Sequence, residues 1–165
     1  PATAAVLAGS LLLLFAMRLV PGVLGGSLGE LDAYAPLAAG AKDGWIKNGY
    51  AEALAEARLR GKPVLVSFTG YACANCHWMK ANMFTRPEIA AELANFVLLE
   101  LYTDGTDASS RKNRVMLGER FATAAIPFYA VVDADERVLA AFAGLTRKPS
   151  EFREFLRRGS RRPTE

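Results

Sequence analysis

Val64-Leu65-Val66-Ser67-Phe68-Thr69-Gly70-Tyr71-Ala72-Cys73-Ala74-Asn75-Cys76 is the stretch on which the fold turns. Pro63 opens it, and Val64, Leu65 and Val66 form the continuous apolar run expected of a strand buried on both faces. Thr69 to Ala72 reads as a turn, and a helix is predicted from about Ala74 to Met83. Cys73 therefore stands at the start of a helix that follows a buried strand. Unpaired backbone N–H groups and the helix dipole stabilise a thiolate there, and the thiolate is the species that attacks disulfides. Cys76 lies one turn inward, close enough to close a disulfide. That geometry makes Cys73 the exposed nucleophile and Cys76 the resolving thiol. The chain has only these two cysteines, three positions apart, whereas a structural disulfide framework spaces them more widely.

Working outward, the chain alternates helical and strand patterns. Trp45 to Arg60 is predicted as an amphipathic helix, with Trp45, Tyr50, Leu54 and Ala57 near one face and Gly61 at its end. The strand Val64–Phe68 and the cysteine helix follow. Thr85-Arg86-Pro87-Glu88 reads as a capping box with proline in the first turn, opening a helix to about Ala94. Phe96 to Leu101 is a strand, Asp104 to Ser110 a polar loop and Arg111 to Ala122 a helix. Pro127–Val132 and Arg137–Ala143 form a hairpin around Ala134 and Asp135, and Glu151 to Arg158 is the last helix. A strand–helix–strand unit implies a parallel crossover, and the hairpin is antiparallel. A mixed sheet with helices on both faces satisfies both requirements.

Pro127 is a second, independent signal. It stands at the mouth of a strand, where it donates no ladder hydrogen bond. A cis Ile126–Pro127 bond would set a backbone edge beside the cysteines for a substrate chain to pair with. Ile126 and Pro127, with Tyr71 and Ala72 on the turn before Cys73, are the candidate substrate contacts.

The first residue is Pro1, as in a piece of a longer or processed chain. From Ala4 to Leu24 the chain is almost wholly apolar, with Arg18 its only charge. Residues 1–24 are read as a transmembrane helix, with Arg18 placed to snorkel. A signal peptide needs a basic start, which is missing, and the run exceeds the usual length of a buried soluble helix. Residues 25–44, rich in glycine, form a linker, 45–158 the folded domain and 159–165 a basic tail. No Lys or Arg occurs between Val20 and Ala41, which puts the domain outside the cytoplasm.

Together these features resemble the thioredoxin family, and within it the C-terminal domain of the DsbD-type transmembrane thiol–disulfide interchange proteins. The resemblance covers residues 43–158. Its core is the stretch 64–76, extended by Met83-Phe84-Thr85-Arg86-Pro87-Glu88-Ile89 and Ala125-Ile126-Pro127-Phe128. It implies a thioredoxin-like α/β fold behind a last membrane helix, on the periplasmic side of the inner membrane. It implies no cofactor beyond a redox-active Cys73–Cys76 disulfide. Electrons would come from a membrane-embedded dithiol donor in the same full-length chain. They would pass to extracytoplasmic thiol–disulfide proteins that serve disulfide isomerisation or cytochrome c maturation. Three positions depart from the family pattern. Ala72 stands where many relatives have Trp, Ser67 where many have a buried Asp, and His77-Trp78-Met79-Lys80 where acidic residues often follow. The carboxylate that helps the second cysteine lose its proton is thus not evident, and His77, Lys80 or water is left to substitute.

Other functions are weighed against the same residues. Cys73 to His77 formally matches the haem c attachment pattern, but a second axial ligand would have to be a methionine, and the motif follows a parallel strand. Two cysteines and one adjacent histidine cannot complete a tetrahedral zinc site, so no metal is expected. A binding module that does not use its cysteines is the remaining alternative. The net charge of +3 gathers in the tail arginines without aromatic interleaving, which argues against nucleic acid as a partner.

Overall fold

The computed structural model describes residues 2–23 and 44–161. The linker expected at 25–44 falls outside the described residues except for Gly44, and residues 162–165 of the expected tail lie outside them as well.

Five strands make one sheet: β1 (Trp45–Lys47), β2 (Val64–Thr69), β3 (Val97–Tyr102), β4 (Phe128–Val132) and β5 (Val138–Ala143). Their order is β1-β3-β2-β4-β5. β3 pairs in parallel with both β1 and β2, and β4 pairs antiparallel with β2 and β5. β2 is central and buried along its whole length, as its apolar run requires. The helices are α1 (Ala2–Val23), α2 (Tyr50–Arg60), α3 (Ala74–Trp78), α4 (Pro87–Leu93), α5 (Ala108–Phe121) and α6 (Pro149–Ser160). This is the mixed α/β sheet the sequence predicts.

Two cores line the two faces of the sheet. Val64, Val66, Phe68, Leu99, Leu101 and Ala130 point to one face, under Leu54 and Ala57 of α2 and Leu117 of α5. Leu65, Tyr129 and Val131 point to the other, under Met79, Met83, Ile89 and Phe152, Phe155 and Leu156 of α6. The alternation along β2 and β4 assigns each residue to its face. Phe152, Phe155 and Leu156 are fully buried, each contributing about 1.5–3 kcal/mol by leaving water.

Several boundaries differ from expectation for identifiable reasons. Trp45–Lys47 is a strand, not a helix start, because edge pairing with Leu98–Glu100 satisfies its backbone. Trp45 then stacks on Phe84 at 5.6 Å. Asn48, at φ 56°, ends the strand, and its Oδ1 accepts from Tyr102 N–H at 3.0 Å and Asn113 Nδ2 at 2.8 Å. The predicted cysteine helix divides into α3 and a π turn at Met79–Met83, where Phe84 N–H donates to Met79 O. The capping box does not form. Thr85 Oγ1 donates back to Ala81 O at 2.8 Å, and Arg86 takes the cap position without a side-chain capping bond, its Nε donating instead to Asn82 O at 3.1 Å. α5 starts three residues earlier than expected, because Asp107 caps it through Ser110 N–H.

The transmembrane helix expected at the start of the chain is not found: no described helix is long and apolar enough to cross a membrane. α1 is helical, with Val6, Leu7, Leu11–Phe15, Met17 and Val20 exposed.

Candidate active site

β2 runs in the core up to Thr69, and the chain then turns through Gly70–Ala72 into Cys73. Cys73 is the N-cap of α3, with extended backbone angles of −83° and 94°. Its sulfur accepts the Cys76 N–H at 3.2 Å. The unsatisfied donors at a helix start are thus directed at the sulfur that would carry the charge. Cys73 and Cys76 are joined in a disulfide, with Cα atoms 5.2 Å apart. Cys76 is 2% exposed, whereas Cys73 is half-buried and reaches the surface.

The turn before Cys73 is held from the loop after β3, the neighbouring strand. Tyr71 N–H donates to Asp104 Oδ1 at 2.8 Å and Ala72 N–H to Asp104 Oδ2 at 2.9 Å. Tyr71 is 57% exposed and stacks on Tyr102, centroids 4.2 Å apart. The Ile126–Pro127 bond is cis, and Pro127 O accepts from Gly144 N–H at 2.8 Å. Ile126 lines a shallow depression with Ala72, Cys73, Ala74, Asn75 and Asp104. Ala72 and Ile126 are therefore brought together with the accessible sulfur, while Tyr71 and Pro127 are not among the residues lining that depression.

Between the π turn after α3 and strand β3 lies a buried charged pair. Ser67 is buried and stands in register with Glu100 on one side and Tyr129 on the other. Glu100 pairs with Lys80 Nζ at 2.7 Å, their side chains 5% and 15% exposed. Tyr102 donates its hydroxyl hydrogen to Glu100 Oε2 at 3.0 Å, and Lys80 Nζ sits 5.2 Å from the Tyr102 ring centre. Burial, with the negative charge of Glu100, pushes the Tyr129 hydroxyl above its usual range. Ser67 itself is neutral, and the residue in register with it on β3 is the buried Glu100. His77 donates its backbone N–H to Cys73 O, and its Nε2 is enclosed without a hydrogen-bond partner among the described residues. Trp78 packs in the core, with the Arg147 guanidinium 5.2 Å from its ring centre.

Asp104, Glu100 and Tyr102 escaped the reading of the sequence. Glu100 had a visible signal, being the single charge in the apolar strand Phe96–Leu101. Asp104 had none, since it reads as one more polar loop residue. No group of three or more His, Cys, Asp or Glu side chains converges as a metal site among the described residues.

Comparison with known proteins agrees with this geometry. Residues 45–134 match the model of a family described as thioredoxin-like. Among solved structures, the chain is similar to a thioredoxin from Thermus thermophilus, with 26% identity and TM-score 0.55, over 68% of this chain and 83% of that one. It is similar in fold to the DsbH oxidoreductase, with 22% identity and TM-score 0.53, over 74% and 90%. It is also similar in fold to the C-terminal domain of Neisseria meningitidis DsbD in the oxidised form, with 20% identity and TM-score 0.52, over 66% and 90%. No curated protein sequence matches the chain.

Proposed function

Since this chain belongs to the thioredoxin-like family, we propose that it is a thiol–disulfide oxidoreductase working in the reducing direction, as a relay between a dithiol donor and extracytoplasmic thiol–disulfide proteins. The observation that carries this is the asymmetric cysteine pair: Cys73 accessible on the helix start, Cys76 2% exposed behind it.

The steps follow from that asymmetry. In the reduced protein the Cys73 thiolate attacks one sulfur of a substrate disulfide. A Cys73–substrate S–S bond forms, the substrate's own S–S bond breaks, and its other sulfur leaves with the electron pair and takes a proton from water. Cys76 then loses its proton and attacks Cys73 Sγ, expelling the second substrate sulfur as a thiolate that is protonated in turn. The substrate gains two electrons and two protons, and the Cys73–Cys76 disulfide remains as the working group, with no other cofactor called for. Lys80 lies four residues beyond Cys76 on the same helical run and, with Glu100, is the charged pair that serves the deprotonation of Cys76. Ile126, Pro127, Tyr71 and Ala72 form the rim on which the substrate chain lies. A dithiol donor regenerates the pair by the reverse exchange.

The exposed apolar side chains of α1 support a domain held at the inner membrane, and the basic-free flank after Val20 supports its extracytoplasmic side. A tether raises the effective concentration of Cys73 at a donor embedded in the same membrane, in the same full-length chain. Cytochrome c maturation and disulfide isomerisation are the processes such a relay serves.

The test is a Cys76→Ser substitution, which leaves the mixed disulfide unresolved. Membranes from cells making the full-length parent with this change should show adducts on non-reducing gels that vanish when Cys73 is also replaced. Absence of any Cys73-dependent adduct defeats the reading.

A further inference from the structure

The site contains an acid that the chemistry above does not use. Asp104 follows β3, and both of its carboxylate oxygens accept backbone hydrogens, from Tyr71 at 2.8 Å and Ala72 at 2.9 Å. These are the two residues immediately before the nucleophile. The contact is close-built: a Cβ on Gly70 would come within 2.5 Å of Asp104 Oδ2 and 2.8 Å of Ile126 Cδ1. Thr103, the residue before Asp104, is tied to the end of β2 by its N–H and its hydroxyl, both donating to Thr69 O, at 2.9 and 3.2 Å. The acid is therefore held by the sheet, and the turn is held by the acid. Asp104 also lines the same depression as Cys73.

We infer that Asp104 is a positioning residue with two effects on Cys73: it fixes the turn that presents the sulfur, and its negative charge opposes formation of the thiolate. The helix start of α3 stabilises the Cys73 thiolate, and Asp104 works against it from across the depression. Of the lining residues only Cys73 and Asp104 ionise. Of the other ionisable groups around the site, Tyr71 stacks on Tyr102, His77 and Lys80 lie further along the helical run, with Lys80 committed to Glu100, and Asp107 is committed to Ser110. A dithiol whose thiolate is less stabilised is a stronger reductant, because stabilising the reduced form is what makes such a pair oxidising. Asp104 thus biases the pair toward giving electrons. This inference rests on the thiol–disulfide reading and sharpens it.

The experiment uses the full chain as wild type, Asp104→Asn, Asp104→Ala and Asp104→Glu. The pH midpoint of Cys73 alkylation by iodoacetamide is measured on reduced protein, and the thiol–disulfide equilibrium is measured against glutathione. Asn and Ala should both lower the midpoint, raising the thiolate fraction below it about threefold to tenfold. The equilibrium should shift toward reduced protein by a similar factor, and a tenfold shift corresponds to 29.6 mV. Glu should restore the wild-type midpoint. An unchanged or raised midpoint in both neutral variants overturns the inference, even if they are less stable. A second measurement needs no variant: the Tyr71 and Ala72 amide hydrogens of the wild type should exchange at least about tenfold slower than in an unstructured chain, and exchange at the unstructured rate overturns the clamp. If glutathione fails to exchange with wild type at all, the oxidoreductase reading falls, while the alkylation midpoints still decide the role of Asp104.

Discussion

Removing one member of the Lys80–Glu100 pair should cost far more than removing both. Lys80 Nζ and Glu100 Oε1 are 2.7 Å apart, with side chains 15% and 5% exposed. An exposed ion pair is worth about 0–1 kcal/mol. A buried one behaves differently, because each charge has lost its water. Lys80→Met leaves the Glu100 carboxylate with only the Tyr102 hydroxyl as a partner, and stranding a buried charge in this way costs about 3–5 kcal/mol. Glu100→Leu leaves the Lys80 ammonium with only the Tyr102 hydroxyl, at 3.4 Å, and ring among the described residues, with a similar cost. At about 4 °C per kcal/mol for a domain of this size, each single variant should lose about 12–20 °C in Tm. The double variant Lys80→Met/Glu100→Leu removes both charges at once and should fall within about 1 kcal/mol of wild type, or above it. Urea unfolding of all four proteins, with the m-value held as a check on two-state behaviour, gives the coupling energy directly. Singles that lose less than about 1 kcal/mol, or a double variant whose loss equals the sum of the singles, would refute the argument that this pair is desolvated and interdependent.

Iodoacetamide should label Cys73 well before Cys76 in the reduced domain, because Cys76 is 2% exposed, and peptide mapping that finds Cys76 labelled first would reverse the assignment of roles. Gly70→Ala should lower stability by about 1–3 kcal/mol and slow disulfide exchange, since its Cβ would press on Asp104 and Ile126 at 2.5 and 2.8 Å; unchanged stability and rate would show that the turn yields freely. Burial pushes the Glu92 carboxyl up, but hydrogen bonds and charge from Arg157 and Arg153 outweigh it and hold the group below the usual range. Its folded pKa is thus depressed, so its contribution to stability is present above the unfolded value and is lost as pH falls through the folded one. Glu92→Gln should accordingly flatten the fall in stability on acidification from about pH 5 downward, and an unchanged acid limb in thermal unfolding would contradict it.

The sequence by itself determined the sheet's centre and the placing of the cysteine pair at a helix start. An apolar run, a turn and a cysteine at a helix start are adjacent in the chain, and local rules of burial and helix termini act on adjacent residues. Pro127 was legible for a similar reason, since a proline at a strand mouth is conspicuous wherever it occurs. Trp45–Lys47 reads as helix because nothing local marks three residues as a strand; only Leu98–Glu100, distant in sequence, gives them partners. Thr85 was read as a cap because its spacing to Glu88 fits, yet the π turn before it brings Ala81 O within reach first. The membrane segment reads from hydropathy alone, whereas no described helix is long and apolar enough to cross a membrane. The two acids of the site were decided by tertiary structure. Glu100 meets Lys80 and Ser67 only when β3 lies beside β2, and Asp104 meets the Tyr71 and Ala72 amides 32 or 33 positions away only when both strands end at the same edge. Ionisable side chains take their meaning from what they face across the sheet, and the linear chain carries no record of that facing.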